Sequence, residues 1–110
     1  MNHEHTRIYL LALDIVSDAA ALTQTLPAGY GFLADQLRRA ASSVALNFSE
    51  GSKHSSLRER RRFFTIARGS AAEVSAIIDV AHRFGIVESA LGSAIKDRCD
   101  HVCAMLRLYR

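Results

Sequence analysis

Apolar residues recur at intervals of three and four in four successive stretches of this chain, and its helix-breaking residues gather mainly between them. Ile8, Leu11, Ile15, Ala19 and Leu22 share one helical face, and "TLPAGYG" then ends the segment, because Pro27, Gly29 and Gly31 cluster there. Leu33, Leu37, Ala40, Ala41, Val44 and Phe48 form the second stripe, with Gly51 as its expected C-terminal cap. The third carries Phe63, Ile66, Ala67, Ser70, Val74, Ile77, Ala81 and Phe84, with Ser55 or Ser56 as its cap and Gly85 as its stop. Leu91, Ile95, Cys99, Val102, Leu106 and Tyr109 make the fourth. The pattern predicts helices over about 4–24, 32–50, 57–84 and 88–109, and no strand.

Helices of about 20 residues span on the order of 30 Å, and short connections favour antiparallel neighbours. The expected fold is therefore all-α, an up-down antiparallel four-helix bundle. At 110 residues the chain fills one domain with one core. No uncharged apolar run is long enough to span a bilayer, and "MNHEHTR" lacks the basic start and apolar stretch of a secretory signal. A soluble, cytoplasmic protein without membrane association is expected.

Helical bundles host active sites with recognisable spacings, and those spacings are missing. Glu50, Glu59, Glu73 and Glu88 are followed at the third position by Lys53, Arg62, Ala76 and Leu91, so no Glu-x-x-His element of a carboxylate-bridged di-metal site is present among them. Asp79 with His82, and Asp97 with His101, are half-sites for a metal at best. A helical RNase of the HEPN type places an arginine slightly more than one turn upstream of a histidine, and no histidine here has one there. The histidines read as surface residues, with His54 joining a basic loop. Cys99 and Cys103, four apart on one helix, read as small buried hydrophobes or, alternatively, as a metal half-site or redox pair. The expectation is a protein that is not an enzyme and needs no cofactor.

Charge is distributed unevenly. Between residues 36 and 68 there are eight basic residues (Arg38, Arg39, Lys53, Arg58, Arg60, Arg61, Arg62, Arg68) against Glu50 and Glu59, whereas acids exceed bases elsewhere. Arg58, Arg61 and Arg62 fall at helical spacing, and guanidinium groups suit phosphate because they donate two parallel hydrogen bonds. Arg38, Arg39, Lys53, Arg58, Arg61, Arg62 and Arg68 are accordingly the candidate contacts to nucleic acid, RNA or single-stranded DNA, on a basic face of the second and third helices. The same arginines also suit an acidic protein partner, which makes a structural or adaptor protein the rival reading.

Gln36, Ala40, Ser43, Asn47 and Glu50 run beside the apolar stripe of the second helix as a seam of small and polar residues. In an antiparallel hairpin turning near His54, this seam comes level with Gly69, Ser70 and Glu73, and with Arg58, Arg61 and Arg62. Arg38 or Arg39 is then positioned to meet Glu73, and Asn47 and Glu50 to meet the arginines. A glycine inside a helix costs about 1 kcal/mol relative to alanine, so Gly69 is expected to mark close helix approach, with Gly69→Leu strongly destabilising.

"GYGFLADQLRRAASSVALNFSEG", followed by "FFTIARGSAAEV", resembles the four-helix-bundle family of proteins encoded in intervening sequences of bacterial 23S ribosomal RNA genes. The resembling elements are Gln-Leu-Arg-Arg-Ala-Ala, Asn-x-x-Glu-Gly and Ala-x-Gly-Ser-x-x-Glu, in that order. That family is similar to the accessory variability determinant of diversity-generating retroelements, whose members form basic, barrel-shaped homopentamers that bind nucleic acid and a reverse transcriptase. The resemblance implies self-association into a homo-oligomer, as a pentameric barrel, and a partner that is nucleic acid, a reverse transcriptase or a ribosome-associated factor. It also implies that part of the seam (Gln36, Ser43, Asn47, Glu50, Gly69, Ser70, Glu73) serves as a subunit interface. Where family members carry a Gly-x-x-Arg-like turn, this chain has "GSKHSS", with Lys53 and His54 as its cations. The family brings no catalytic residues.

Overall fold

The computed structural model describes residues 2–109. Four helices follow one another, α1 (His3–Thr23), α2 (Gly31–Lys53), α3 (Leu57–Arg83) and α4 (Ser89–Leu108), and the described residues contain no strand. Each helix packs on two neighbours, α1 on α2 and α4, and α3 on α2 and α4, which closes an up-down bundle. The pair α2 and α3 makes the most extensive contact.

Helix ends are set by local chemistry. Asn2 Oδ1 accepts from the His5 N–H at 2.7 Å and opens α1. Ser56 accepts from the Glu59 N–H at 3.3 Å and opens α3, which selects it over Ser55. Gly85 ends α3 as expected: its φ is +74°, its N–H donates to the His82 carbonyl, and the Ile86 N–H reaches the Ala81 carbonyl. Gly51 behaves differently from expectation. It stays inside α2, which runs on to Lys53, and among the described glycines only Gly29 and Gly85 have positive φ. The reason is tertiary: a Cβ at Gly51 would lie 2.8 Å from Phe64 Cε1 and 2.9 Å from Phe63 Cβ. Glycine at this position lets α2 and α3 approach.

The core stripes of α1, α2 and α4 fall where the sequence places them, with Ile8, Ile15, Leu22, Leu37, Val44, Phe48, Ile95 and Val102 fully buried. The α3 stripe holds in part: Ala67, Val74, Ile77 and Ala81 are buried as placed, but its other positions shift. Phe64, Ala71 and Ile78 are buried, whereas Ile66 and Phe84 are exposed and Phe63 is half-buried. Phe63 instead stacks on His54, with ring centroids 5.2 Å apart and planes 10° from parallel, covering the α2–α3 turn. Phe64 takes the inward place and stacks on Phe48 at 5.4 Å.

Candidate nucleic-acid interface

Short-range partners claim several of the predicted residues. Arg38 pairs with Asp35 at 2.7 Å, Arg62 with Glu59 at 3.0 Å, and Glu50 lies 3.5 Å from His54, each within one helix turn. Arg38 therefore does not meet Glu73, nor does Glu50 meet an arginine across the hairpin; a side chain one turn away is already in reach without ordering a second helix. Arg39 and Glu73 are exposed and have no ion-pair partner among the described residues. Gln36 is exposed as well.

The centre of the seam is a hydrogen-bonded link between α2 and α3. Ser43 Oγ and Ser70 Oγ are 2.7 Å apart, either one donating. Asn47 Nδ2 donates to both the carbonyl and the hydroxyl of Ser43 at 2.9 Å. These half-buried hydroxyls fix the register of the two helices, because sliding either one would strand them without partners. Gly69 plays no part. It is exposed, a Cβ there meets nothing within 4 Å, and Gly69→Leu is not expected to destabilise the fold as its sequence context suggested. Gly51 is the close-approach glycine.

The remaining cations gather at the end of the bundle where α1 and α3 begin and α2 and α4 finish. Arg58, Arg61 and Arg68 recur at three and seven residues along α3, the spacing of one helical face. Arg61 and Arg68 line a groove of about 200 Å³ between α3 and α4, together with Phe64, Thr65, Leu106, Arg107 and Tyr109. None of these is a carboxylate. Arg68 also donates to Thr65 Oγ1 at 3.4 Å. Arg107 joins them from α4; the sequence hid it because no periodicity links position 107 to position 61. Arg38 and Arg39 stand apart, since about 14 residues of helix, roughly 20 Å, separate Arg39 from Lys53. Arg62 leans over the Phe63 ring at 4.3 Å.

Other chemistry is less well served. His82 Nε2 lies 3.2 Å from Ser89 Oγ across the α3–α4 turn, a contact the sequence did not suggest. Asp79, the nearest carboxylate along α3, is bound instead to Lys96 Nζ at 2.5 Å, so it does not orient the imidazole. No group of three or more His, Cys, Asp or Glu residues is placed to hold a metal among the described residues. Burial pushes the Cys99 thiol up to about 11, and Cys103 Sγ faces the Arg68 carbonyl at 3.7 Å, so both behave as packed hydrophobes rather than thiolates. No helix of the described residues is long and apolar enough to cross a membrane.

His5 corrects the reading of the histidines as surface residues. It is buried at 9% exposure, with its ring centroid 4.7 Å from that of Phe48 and 6.3 Å from that of Tyr109. Burial, then the positive charges of the α-amino group and Arg60, hold its pKa below the usual histidine value. Position 5 lies three residues before Ile8, in phase with the α1 core stripe, and that spacing was the available signal.

Comparison with known proteins agrees with this architecture. The crystal structure of a protein of unknown function from the S23 ribosomal protein family, from Bacteroides thetaiotaomicron VPI-5482, superposes with a TM-score of 0.83 at 16% sequence identity, covering 90% of this chain and 94% of that one. At that identity the likeness speaks for the fold. No curated protein matches the chain. The family model described as 23S rRNA-intervening sequence protein matches residues 4–108, nearly the whole length, and the chain belongs to that family.

Proposed function

We propose that this protein is a non-enzymatic accessory protein that binds RNA or single-stranded nucleic acid through its phosphates. The observation that carries the reading is the groove between α3 and α4, lined by Arg61, Arg68 and Arg107 with Tyr109 and, among the described residues, without a carboxylate. Like charges gathered on one surface cost free energy in the isolated protein, and a polyanion relieves that cost. Arg58 and Lys53 extend the field around the same end of the bundle.

The proposal includes self-association, as the pentameric barrel implied by the resemblance. Leu10, Phe32, Leu46, Phe84 and Leu108 are each more than half exposed, apolar side chains that further copies of the chain would cover. Light scattering on the purified protein reads the number of subunits directly.

Binding is tested by titrating a fluorescent single-stranded RNA across a salt series. Log affinity should fall linearly with log salt, and Arg61→Ala or Arg68→Ala should each lower the slope by about 0.7. No binding at low salt would refute the nucleic-acid reading and leave the basic surface to an acidic protein partner.

A further inference from the structure

We propose that the cleft at the end of the bundle, beside the α2–α3 turn, is a binding site for a phosphate-class oxyanion, held by Arg60 and Lys53 with donors from His5, Ser49 and Asn2. The cleft encloses about 430 Å³ and draws one to three residues from each part of the fold that meets there: Asn2 and His5 from the start of α1, Ser49, Ser52 and Lys53 from the end of α2, Arg60 from α3, and Tyr109 after α4. Among the described residues no carboxylate lines it. Of the nearby acids, Glu50 lies against His54 and Glu59 pairs with Arg62, while Glu4 lines the neighbouring cleft rather than this one.

Arg60 is the main observation. Its guanidinium sits 5.8 Å from the Phe64 ring centroid and 5.9 Å from that of Tyr109, so two aromatic faces hold it in place. Its Nε is buried and has no hydrogen-bond acceptor, and no ion pair neutralises it among the described residues. A half-buried, positioned cation with an unmet donor is costly unless an anion completes it.

His5 supplies a second, independent observation. The side chain is nine-tenths buried, lines the same cleft, and leaves Nδ1 without a partner. An oxyanion in the cleft supplies the missing acceptor, with the ring proton on Nδ1 donating to it. The remaining donors fit the same ligand. Asn2 Oδ1 is engaged in capping α1, which leaves its amide N–H groups to donate. The Ser52 hydroxyl already donates to the Phe48 carbonyl at 2.8 Å, whereas no hydrogen bond among the described residues engages the Ser49 hydroxyl. Two cations, an imidazole, an amide and a hydroxyl around an acid-free cleft match a tetrahedral oxyanion and repel a metal cation. Arg60 was absent from the residues chosen on sequence because it lies on the inward side of "RERRR"; its position four residues before the buried Phe64 is what places it there.

This site is separate from the groove of Arg61, Arg68 and Arg107, and it does not require that the groove bind nucleic acid. The test is a two-dimensional NMR titration of the full chain with inorganic phosphate, reading the His5 ring and the Arg60 side chain. The proposal expects saturable shifts at both residues, an affinity about tenfold weaker for Arg60→Gln, a smaller loss for Lys53→Gln, and no change for Arg39→Gln. Lys53 is exposed, so its variant reads the site even where Arg60→Gln perturbs packing against Tyr109. Absence of saturation up to about 10 mM phosphate, a concentration that fills a millimolar site, overturns the proposal, as does equal affinity in Arg60→Gln and Lys53→Gln. Competition by a 5′-phosphorylated oligonucleotide but not by its unphosphorylated twin assigns the site to a nucleic-acid end; displacement by neither, with phosphate bound, assigns it to a free phosphate compound.

Discussion

Two glycines inside helices, Gly51 buried and Gly69 exposed, give a paired test of the packing. Gly51→Ala adds a methyl group 2.8 Å from Phe64 Cε1 and 2.9 Å from Phe63 Cβ. Phe63 Cβ is anchored to the α3 backbone, and the Phe64 ring is confined by Phe48 at 5.4 Å and Tyr109 at 5.6 Å, so neither yields without moving α3 away from α2. Overpacking of this kind costs about 1–3 kcal/mol, and the gain in helix propensity returns about 1. With two contacts below 3.0 Å the upper end applies, for a net loss of about 2 kcal/mol. Gly69→Ala meets nothing within 4 Å and keeps only the propensity gain, about 1 kcal/mol of stabilisation. A chain of this length has an unfolding entropy that converts 1 kcal/mol into about 4 °C, so thermal denaturation by circular dichroism should show Gly51→Ala melting about 8 °C lower and Gly69→Ala about 4 °C higher. A Gly51→Ala protein as stable as the parent would refute the assignment of Gly51 as the close-approach residue. A loss of stability at Gly69 that deepens on dilution would place a second copy of the chain on the outer face of α3.

Two further outcomes concern the titratable groups. The lowered pKa of His5 means that the unfolded chain binds a proton more readily than the folded one between the folded value and the ordinary value of about 6.5. Stability is therefore undiminished above about 6.5 and falls as pH drops through that window; Tm measured from pH 7.5 down to 5 should decline, and His5→Phe should flatten that part of the profile. The groups facing His5 are Tyr9 on its own helix, Phe48 from α2, Arg60 from α3 and Tyr109 beyond α4, so Arg60→Gln should raise the His5 pKa in an NMR titration. Cys99 is 1% exposed with its thiol at about 11, so at pH 8 it should resist a thiol-disulfide reagent until the protein is unfolded, while Cys103 reacts first. Equal rates for both thiols in the folded protein would contradict the packing of α4.

The bundle was legible because helical period and helix-breaking residues are local signals. The errors fall where a local signal had two meanings. Gly51 and Gly85 look alike as helix stops, yet one takes positive φ and the other fills a gap against Phe64, and only the facing helix distinguishes them. The adjacent pair Phe63 and Phe64 allows two phases for the α3 stripe; stacking on His54 holds Phe63 outside and sends Phe64 inward. Ion pairs expected between helices formed within them, as at Arg38 with Asp35, because one turn of helix already supplies the proximity. The end cleft was out of reach altogether, since no spacing links positions 2 and 5 to 49 and 53, or either pair to 60 and 109, and they converge only when four helices are assembled.

Assembly also changes what the charge segregation along the sequence means. Arg38 is neutralised by Asp35 near the end of the bundle where α2 begins, and that half also holds the pairs Asp79 with Lys96 and Asp18 with Arg98. The opposite half holds Lys53, Arg58, Arg60, Arg61 and Arg107, none of them ion-paired among the described residues. Helix dipoles do not produce this contrast, because each end of an up-down bundle exposes two helix starts and two helix finishes and their partial charges oppose one another. The polarity along the 45 Å axis comes from side chains. Among the described residues, a strand laid along the full length of α2 and α3 would meet Lys53, Arg58, Arg60 and Arg61 unpaired at the basic end but only Arg39 and Arg83 unpaired in the other half, so fewer counterions are released there. A strand that crosses the basic end meets the α3–α4 groove and the oxyanion cleft together, with Tyr109 lining both. Under the proposed function the contact would therefore be end-on and only a few nucleotides long for each copy of the chain, and a longer RNA would need several copies side by side.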